Sequence, residues 1–266
     1  MPVLSARIVL AFPFLFSRYL QRAWPNRFLP CRERVDCHSL ITDEVVAMSR
    51  KSQIVAALDS LTAEMSLLKH PFYQQWTAGT LPLERLRNYA VQYYQHVAAF
   101  PRYLSGIHAR CEDLSTRQAL LENLIDEERG PENHPELWLR FAEAIGVDRE
   151  TVIDAEPLPA ARSLVDTFIR LTHDQPLAAG LAALYVYESQ IPAVAEAKID
   201  GLRRFYGITG TDALRFFDVH RDADPHHTDA VGQLVERHSP SQEDRRLALE
   251  AGREALSAVW SILDAV

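Results

Sequence analysis

His220, Asp224 and His227 lie within one short run of the chain. At about 100° per residue on an α-helix, positions 0, 4 and 7 share one face and span about 10 Å, so two imidazoles and a carboxylate can enter one pocket. That donor set can hold a first-row transition metal ion. A solvated helix face or a pair of His–Asp hydrogen bonds has the same spacing, so the meaning of the stripe depends on donors elsewhere. Pro225 follows Asp224 and disfavours regular helical geometry there. It loosens the turn and makes His226 the neighbour able to stand in for His227.

Two further stretches supply donors. Glu127 precedes His134 by seven residues, a spacing that one continuous helix would align, but Gly130-Pro131 interrupts it. The pair must then converge from the end of one helix and the start of the next, although helix caps place such residues at the same points. Glu188 follows an uncharged, mostly apolar run, Leu177 to Tyr187. That context predicts burial, and a buried carboxylate needs a cation, a metal or a hydrogen-bond donor. Ten residues later stands Lys198, in a chain with 25 arginines and only 3 lysines. A lysine can lose its proton and act as an amine, which arginine cannot. A Lys198–Glu196 pair, or a lysine reaching out to solvent, is the structural alternative.

Glu127, His134, Glu188, His220, Asp224 and His227 thus form a set of three carboxylates and three imidazoles on separate segments. Nitrogen and oxygen donors without thiolate suit iron or manganese rather than zinc or an iron–sulfur cluster, and three carboxylates partly neutralise two divalent ions. The chemistry that follows is that of a helical dimetal oxidase or oxygenase.

The elements carrying these residues read as helices. From Ser49 onward apolar residues recur at three- and four-residue steps: Ile54, Leu58, Leu61, Met65 and Leu68, then Leu86, Tyr89, Tyr93 and Val97. Ser115, His134-Pro135 and Ser241 open later helices, and Leu177 to Phe205 reads as a long one interrupted at Pro192. Alternating strand patterns and hairpin turns are missing from the sequence. The expected class is all-α, a bundle of seven to eight helices. The ferritin-like Glu-x-x-His repeat is absent.

The chain has 266 residues, 47% of them hydrophobic, enough for one large core. A net charge of −8 argues against nucleic acid or an anionic membrane as partner. Three cysteines, Cys31, Cys37 and Cys111, offer no disulfide framework, so a reduced cytoplasm is expected. Residues 1–47 differ from the rest, with six arginines against Glu33, Asp36, Asp43 and Glu44. The apolar run Ile8 to Phe16 lacks a small-x-small cleavage site, is too short to span a bilayer and contains Pro13. Residues 1–47 are expected to be a poorly structured extension, with Met48 as an alternative start, and residues 48–266 the functional domain.

The order Glu-x6-His, an isolated Glu after Leu-Tyr-Val-Tyr, and His-x3-Asp-x2-His resembles the haem-oxygenase-like (TenA-like) dimetal oxidases. It is most similar to the family of the chlamydial protein associating with death domains (CADD), over roughly Ser49 to the C-terminus. The resemblance implies a self-sacrificing 4-aminobenzoate synthase for folate biosynthesis. The ring would come from Tyr73 and the amine from Lys198, with Tyr89 and Tyr187 as relays near the metals. It further implies two metal ions (Fe/Fe or Mn/Fe), dioxygen and an external reductant as co-substrates, a separate electron donor and a homodimer. Where a further tyrosine would precede His220 by one turn, this chain has Phe216. Rival readings are a metal-independent thiaminase-like or pyrroloquinoline-quinone-synthase-like enzyme acting on an external substrate, and a non-catalytic interaction module. Nothing around Cys111 marks an activated nucleophile.

Overall fold

The computed structural model describes residues 53–266, apart from the side chains of residues 223–226. The expectation of an extension over residues 1–47 lies outside the described residues. Among them no strand occurs, and the chain folds as α1 (53–64), a 3₁₀ turn (Leu67–Lys69), α2 (Pro71–Ala78), α3 (Leu83–Arg110), α4 (Leu114–Glu128), α5 (His134–Ala144), α6 (Arg149–Ile153), α7 (Pro159–His173), α8 (Leu177–Glu188), α9 (Ile191–Phe205), α10 (Thr211–His238) and α11 (Gln242–Ala265). The all-α class is as expected. Helices outnumber the expected seven to eight because α2 and α6 are short and because the run 177–205 is two helices. Pro192 lacks the amide an interior turn requires and sits in the first turn of α9, so α8 stops at Glu188.

The core is built around α8. Its residues Ala178 to Val186 are all buried, and α7, α10 and α11 pack against it. A helix that is apolar all round has no solvated face, which holds Glu188 inside the protein. The α3 stripe of Leu86, Tyr89, Tyr93 and Val97 is buried as its periodicity requires. The Trp138 indole N–H donates to the Ala90 carbonyl at 2.8 Å, locking α5 onto α3.

Helix α2 carries Tyr73 and is fixed at its start by His70. One imidazole nitrogen, Nδ1, accepts from the Phe72 amide at 3.1 Å, and Nε2–H donates to Asp264 on α11 at 3.0 Å. Along α2, Trp76 is fully buried against α9, where Gly201 leaves it room. A Cβ at Gly201 would come within 2.4 Å of the indole. Gly201→Ala is therefore expected to destabilise the fold by about 1–3 kcal/mol, because a fully buried Trp76 has nowhere to move. Urea unfolding checks this, and an unchanged midpoint would mean that α2 and α9 separate readily.

Candidate metal centre

Each candidate ligand owes its position to a local feature. Helix α4 ends just after Glu127, and α5 begins at His134 with Asn133 as its cap, the Asn133 side chain accepting from the Glu136 amide at 3.0 Å. Gly130 reverses the chain between them at φ 85°, a left-handed conformation that favours glycine. The helix end and helix start thereby meet: Glu127 Oε2 lies 2.7 Å from His134 Nδ1. The two side chains form a buried ion-pair contact, and His134 Nδ1 has no further partner among the described residues.

His220 on α10 completes the group. One ligand atom from each of Glu127, His134 and His220 falls within 4.8 Å of the other two, all three buried. His220 Nδ1 lies 2.6 Å from the Phe216 carbonyl. A carbonyl only accepts, so Nδ1 carries the proton and Nε2 keeps its lone pair for a cation. Burial, with His134 beside it, holds the His220 ring well below the usual imidazole range, that is, neutral.

Glu188, His227, Tyr187 and Phe216 line the same cavity as the three clustered residues; its volume is about 20 Å³, enough for a water molecule or an ion. Burial, with Glu127 nearby, pushes the Glu188 carboxyl up to about 8, against the one hydrogen bond donated by Asn123 Nδ2 at 3.0 Å. Among the described residues Glu188 Oε2 has no hydrogen-bond partner. For His134, burial opposes the charged ring, but the adjacent Glu127 carboxylate prevails and raises it. His227 stands on the cavity wall with Nε2 3.1 Å from Asp126 Oδ2. The Asp224 and His226 side chains lie outside the described residues.

The donor set fits a metal centre. Two buried carboxylates, a neutral imidazole with a free lone pair, and Glu188 Oε2, which has no hydrogen bond among the described residues, converge on one small cavity where His134 Nδ1 also meets Glu127. A divalent cation there would satisfy each of them. Glu127, His134 and His220 would hold one ion, and Glu188 and His227 stand within the same cavity wall to share in binding.

Tyr73 and Lys198 are not on that wall. They lie one aromatic layer away, behind Trp138, whose ring is 4.9 Å from Phe216 on one side and 5.6 Å from Tyr89 on the other. Lys198 is buried, its ammonium donates to the Tyr89 hydroxyl at 2.8 Å, and its nitrogen is 5.6 Å from the Tyr73 ring centre. Burial pushes the Lys198 amine down to about 7. Tyr73 and Tyr89 place their hydroxyls 3.4 Å apart. Tyr187, on the cavity, accepts from the Tyr93 hydroxyl at 3.1 Å, and the Tyr93 and Tyr89 rings are 4.9 Å apart. A continuous file of phenols, Tyr187, Tyr93, Tyr89 and Tyr73, thus joins the cavity to the lysine pocket. Burial raises Tyr73, Tyr89 and Tyr93 well above the usual phenol range, so each keeps its proton. Phe216, where a tyrosine was expected, packs 4.2 Å from His220 and lies outside this file.

Sequence reasoning did not select Tyr93, Asn123 or Asp126. Tyr93 follows Tyr89 by one helical turn in an apolar stripe, and Asn123 and Asp126 lie four and one residues before Glu127. Each signal is legible only once the facing helix is known.

The family described as iron-containing redox enzyme matches residues 87–260. A Nitrosomonas europaea protein named 4-aminobenzoate synthase is 43% identical over 79% of this chain and 89% of its own length. A Chlamydia muridarum protein of the same name is 44% identical over 78% of this chain and 87% of its own. The crystal structure of a CADD-like protein of unknown function from Nostoc punctiforme superposes with a TM-score of 0.65 at 17% identity, covering 81% of this chain and 96% of that one, and shares the fold. The chain belongs to the iron-containing redox enzyme family, as an oxidoreductase of haem-oxygenase-like fold, and within it stands among the bacterial proteins named 4-aminobenzoate synthase.

Proposed function

We propose that this chain makes 4-aminobenzoate from its own side chains, with Tyr73 as the source of the ring and Lys198 as the source of nitrogen, consuming dioxygen and electrons from an external donor. The observation that carries this reading is the buried pocket in which a lysine and a tyrosine, neither with a core-packing reason to be polar, meet through Tyr89. Bound iron or manganese, held by Glu127, His134, Glu188, His220 and His227 with Asp224, would supply the capacity to activate dioxygen. The protein's own residues do the rest. Burial keeps Lys198 able to exist as a free amine near neutral pH, the form in which nitrogen is nucleophilic. The Tyr89 hydroxyl accepts from that nitrogen and fixes it beside the Tyr73 ring. Trp138, Phe217 and Tyr93 pack around the amine and keep bulk water out. The phenol file gives the oxidising equivalent a path from the cavity to Tyr73, and each phenol must release its proton as it is oxidised.

The family's description as iron-containing redox enzyme and the three-ligand cluster support the metal part of this reading, and the relatives' name supports the product. Purified protein given Fe(II), alone or with Mn(II), a reductant and oxygen is expected to retain two metal equivalents and to release 4-aminobenzoate. Both should be lost in His220→Ala and in Glu127→Ala. Product formed at wild-type level by either variant would refute the metal assignment. Many turnovers on an added substrate, with the protein unchanged, would point instead to an external-substrate enzyme.

A further inference from the structure

A groove of about 270 Å³ runs between α4 and α10 on the outer side of the candidate metal centre. From α4 it takes Glu122, Asn123 and Asp126, which share one helix face, and from α10 His227, Ala230 and Leu234. Two features tie it to the inner cavity. His227 lines both spaces. Asn123 lines the groove while its Nδ2 donates inward to Glu188. The other surface grooves described share no lining residue with the inner cavity.

The groove's chemistry has one sign. Its polar lining consists of two carboxylates, an amide and an imidazole, with no lysine or arginine among them. Asn123 is 3% exposed, and its Oδ1 is a buried acceptor without a hydrogen-bond partner among the described residues. Glu122 is exposed at the mouth, and small Ala230 leaves the space open. An unsatisfied acceptor at the floor and carboxylates at the mouth suit a cation that sheds water as it descends.

We propose that this groove is the route by which divalent metal ions reach the inner cavity. Glu122 and Asp126 gather the hydrated ion, Asn123 Oδ1 replaces one of its waters, and His227 receives it at the shared wall. Asp126 Oδ2 lies 3.1 Å from His227 Nε2, so an ion arriving at Asp126 competes for that contact at the wall the two spaces share. The inference rests on reading the inner cavity as a metal centre.

The test is the rate of Fe(II) or Mn(II) uptake by metal-free protein under anaerobic conditions. Stopped-flow competition with a chromophoric chelator follows the uptake, and final metal content is measured separately. Glu122→Lys, an exposed substitution, is expected to slow uptake about tenfold at low salt. The deficit should close at about 1 M salt, where the Debye length shrinks to about 3 Å. Ala230→Trp should slow uptake at every salt concentration by filling the groove. Both should reach the wild-type metal content, and circular dichroism should show both folded. Wild-type uptake rates in Glu122→Lys at low salt would overturn the route while leaving the metal centre standing. Failure of the wild-type protein to take up metal at all would overturn the metal centre and the route with it.

Discussion

Replacing Lys198 by methionine is expected to abolish 4-aminobenzoate formation while making the protein more stable. The side chain is buried among Tyr73, Tyr89, Tyr93, Trp138 and Phe217, with the Tyr89 hydroxyl as its hydrogen-bond partner. Burial disfavours the cation, and a methionine of similar length removes that cost, a change worth about 1–4 kcal/mol in comparable buried sites. The pH dependence has a definite sign. Between about 7, the folded value, and the ordinary 10.5, the unfolded chain binds a proton that the folded chain does not. Wild-type stability therefore rises with pH across that window, and the advantage of Lys198→Met, largest below pH 7, shrinks toward pH 10. Urea unfolding at pH 6, 8 and 10 checks this. Product formation by the wild type should rise as pH passes upward through about 7, where the amine becomes free. Lys198→Arg keeps a cation and should be inactive, since a guanidinium does not deprotonate. Appreciable product from either variant would remove Lys198 as the nitrogen source.

Tyr73→Phe should also abolish the product, with little else disturbed. The hydroxyl removed has one side-chain hydrogen bond among the described residues, the 3.4 Å approach to Tyr89, so stability should change by no more than about 1 kcal/mol. The ring remains to pack against Phe72 and Trp76. Metal content should match the wild type, because Tyr73 lies outside the cavity that holds the ligands. Tyr93→Phe gives a contrasting result. It leaves both the metal ligands and the Lys198–Tyr73 pocket in place but removes the hydroxyl that reaches Tyr187, so product should form slowly rather than not at all. Full activity in Tyr73→Phe would mean that the ring comes from elsewhere.

How far the sequence reaches can be judged residue by residue. The apolar run before Glu188 forecast its burial, since a carboxylate at the end of an all-apolar helix has no solvated side to turn toward. The Gly130-Pro131 interruption implied that Glu127 and His134 meet across two helices, and they do. Lys198 stood out because arginine serves almost everywhere else. Tyr93 was not separable from the core, because a tyrosine in an apolar stripe looks the same whether its hydroxyl meets solvent or another phenol. Its partner Tyr187 lies 94 residues away. Asn123 was missed for a like reason, its acceptor Glu188 being 65 residues distant. The division of residues 177–205 into two helices was only half legible. Pro192 marked the interruption, but the end of α8 at Glu188 depends on packing around both helices. Helical spacing alone placed His220, Asp224 and His227 on one stripe. In the folded chain His220 joins Glu127 and His134, while His227 turns to Asp126 at the cavity wall.

The most direct measurement is mass analysis of the intact protein and its peptides before and after reaction with iron or manganese, reductant and oxygen. The expected result is one equivalent of 4-aminobenzoate per chain, with the ring's mass lost from the peptide containing Tyr73 and the amine nitrogen lost from the peptide containing Lys198. Product that accumulates beyond one equivalent while both peptides keep their mass would contradict a self-sacrificing origin.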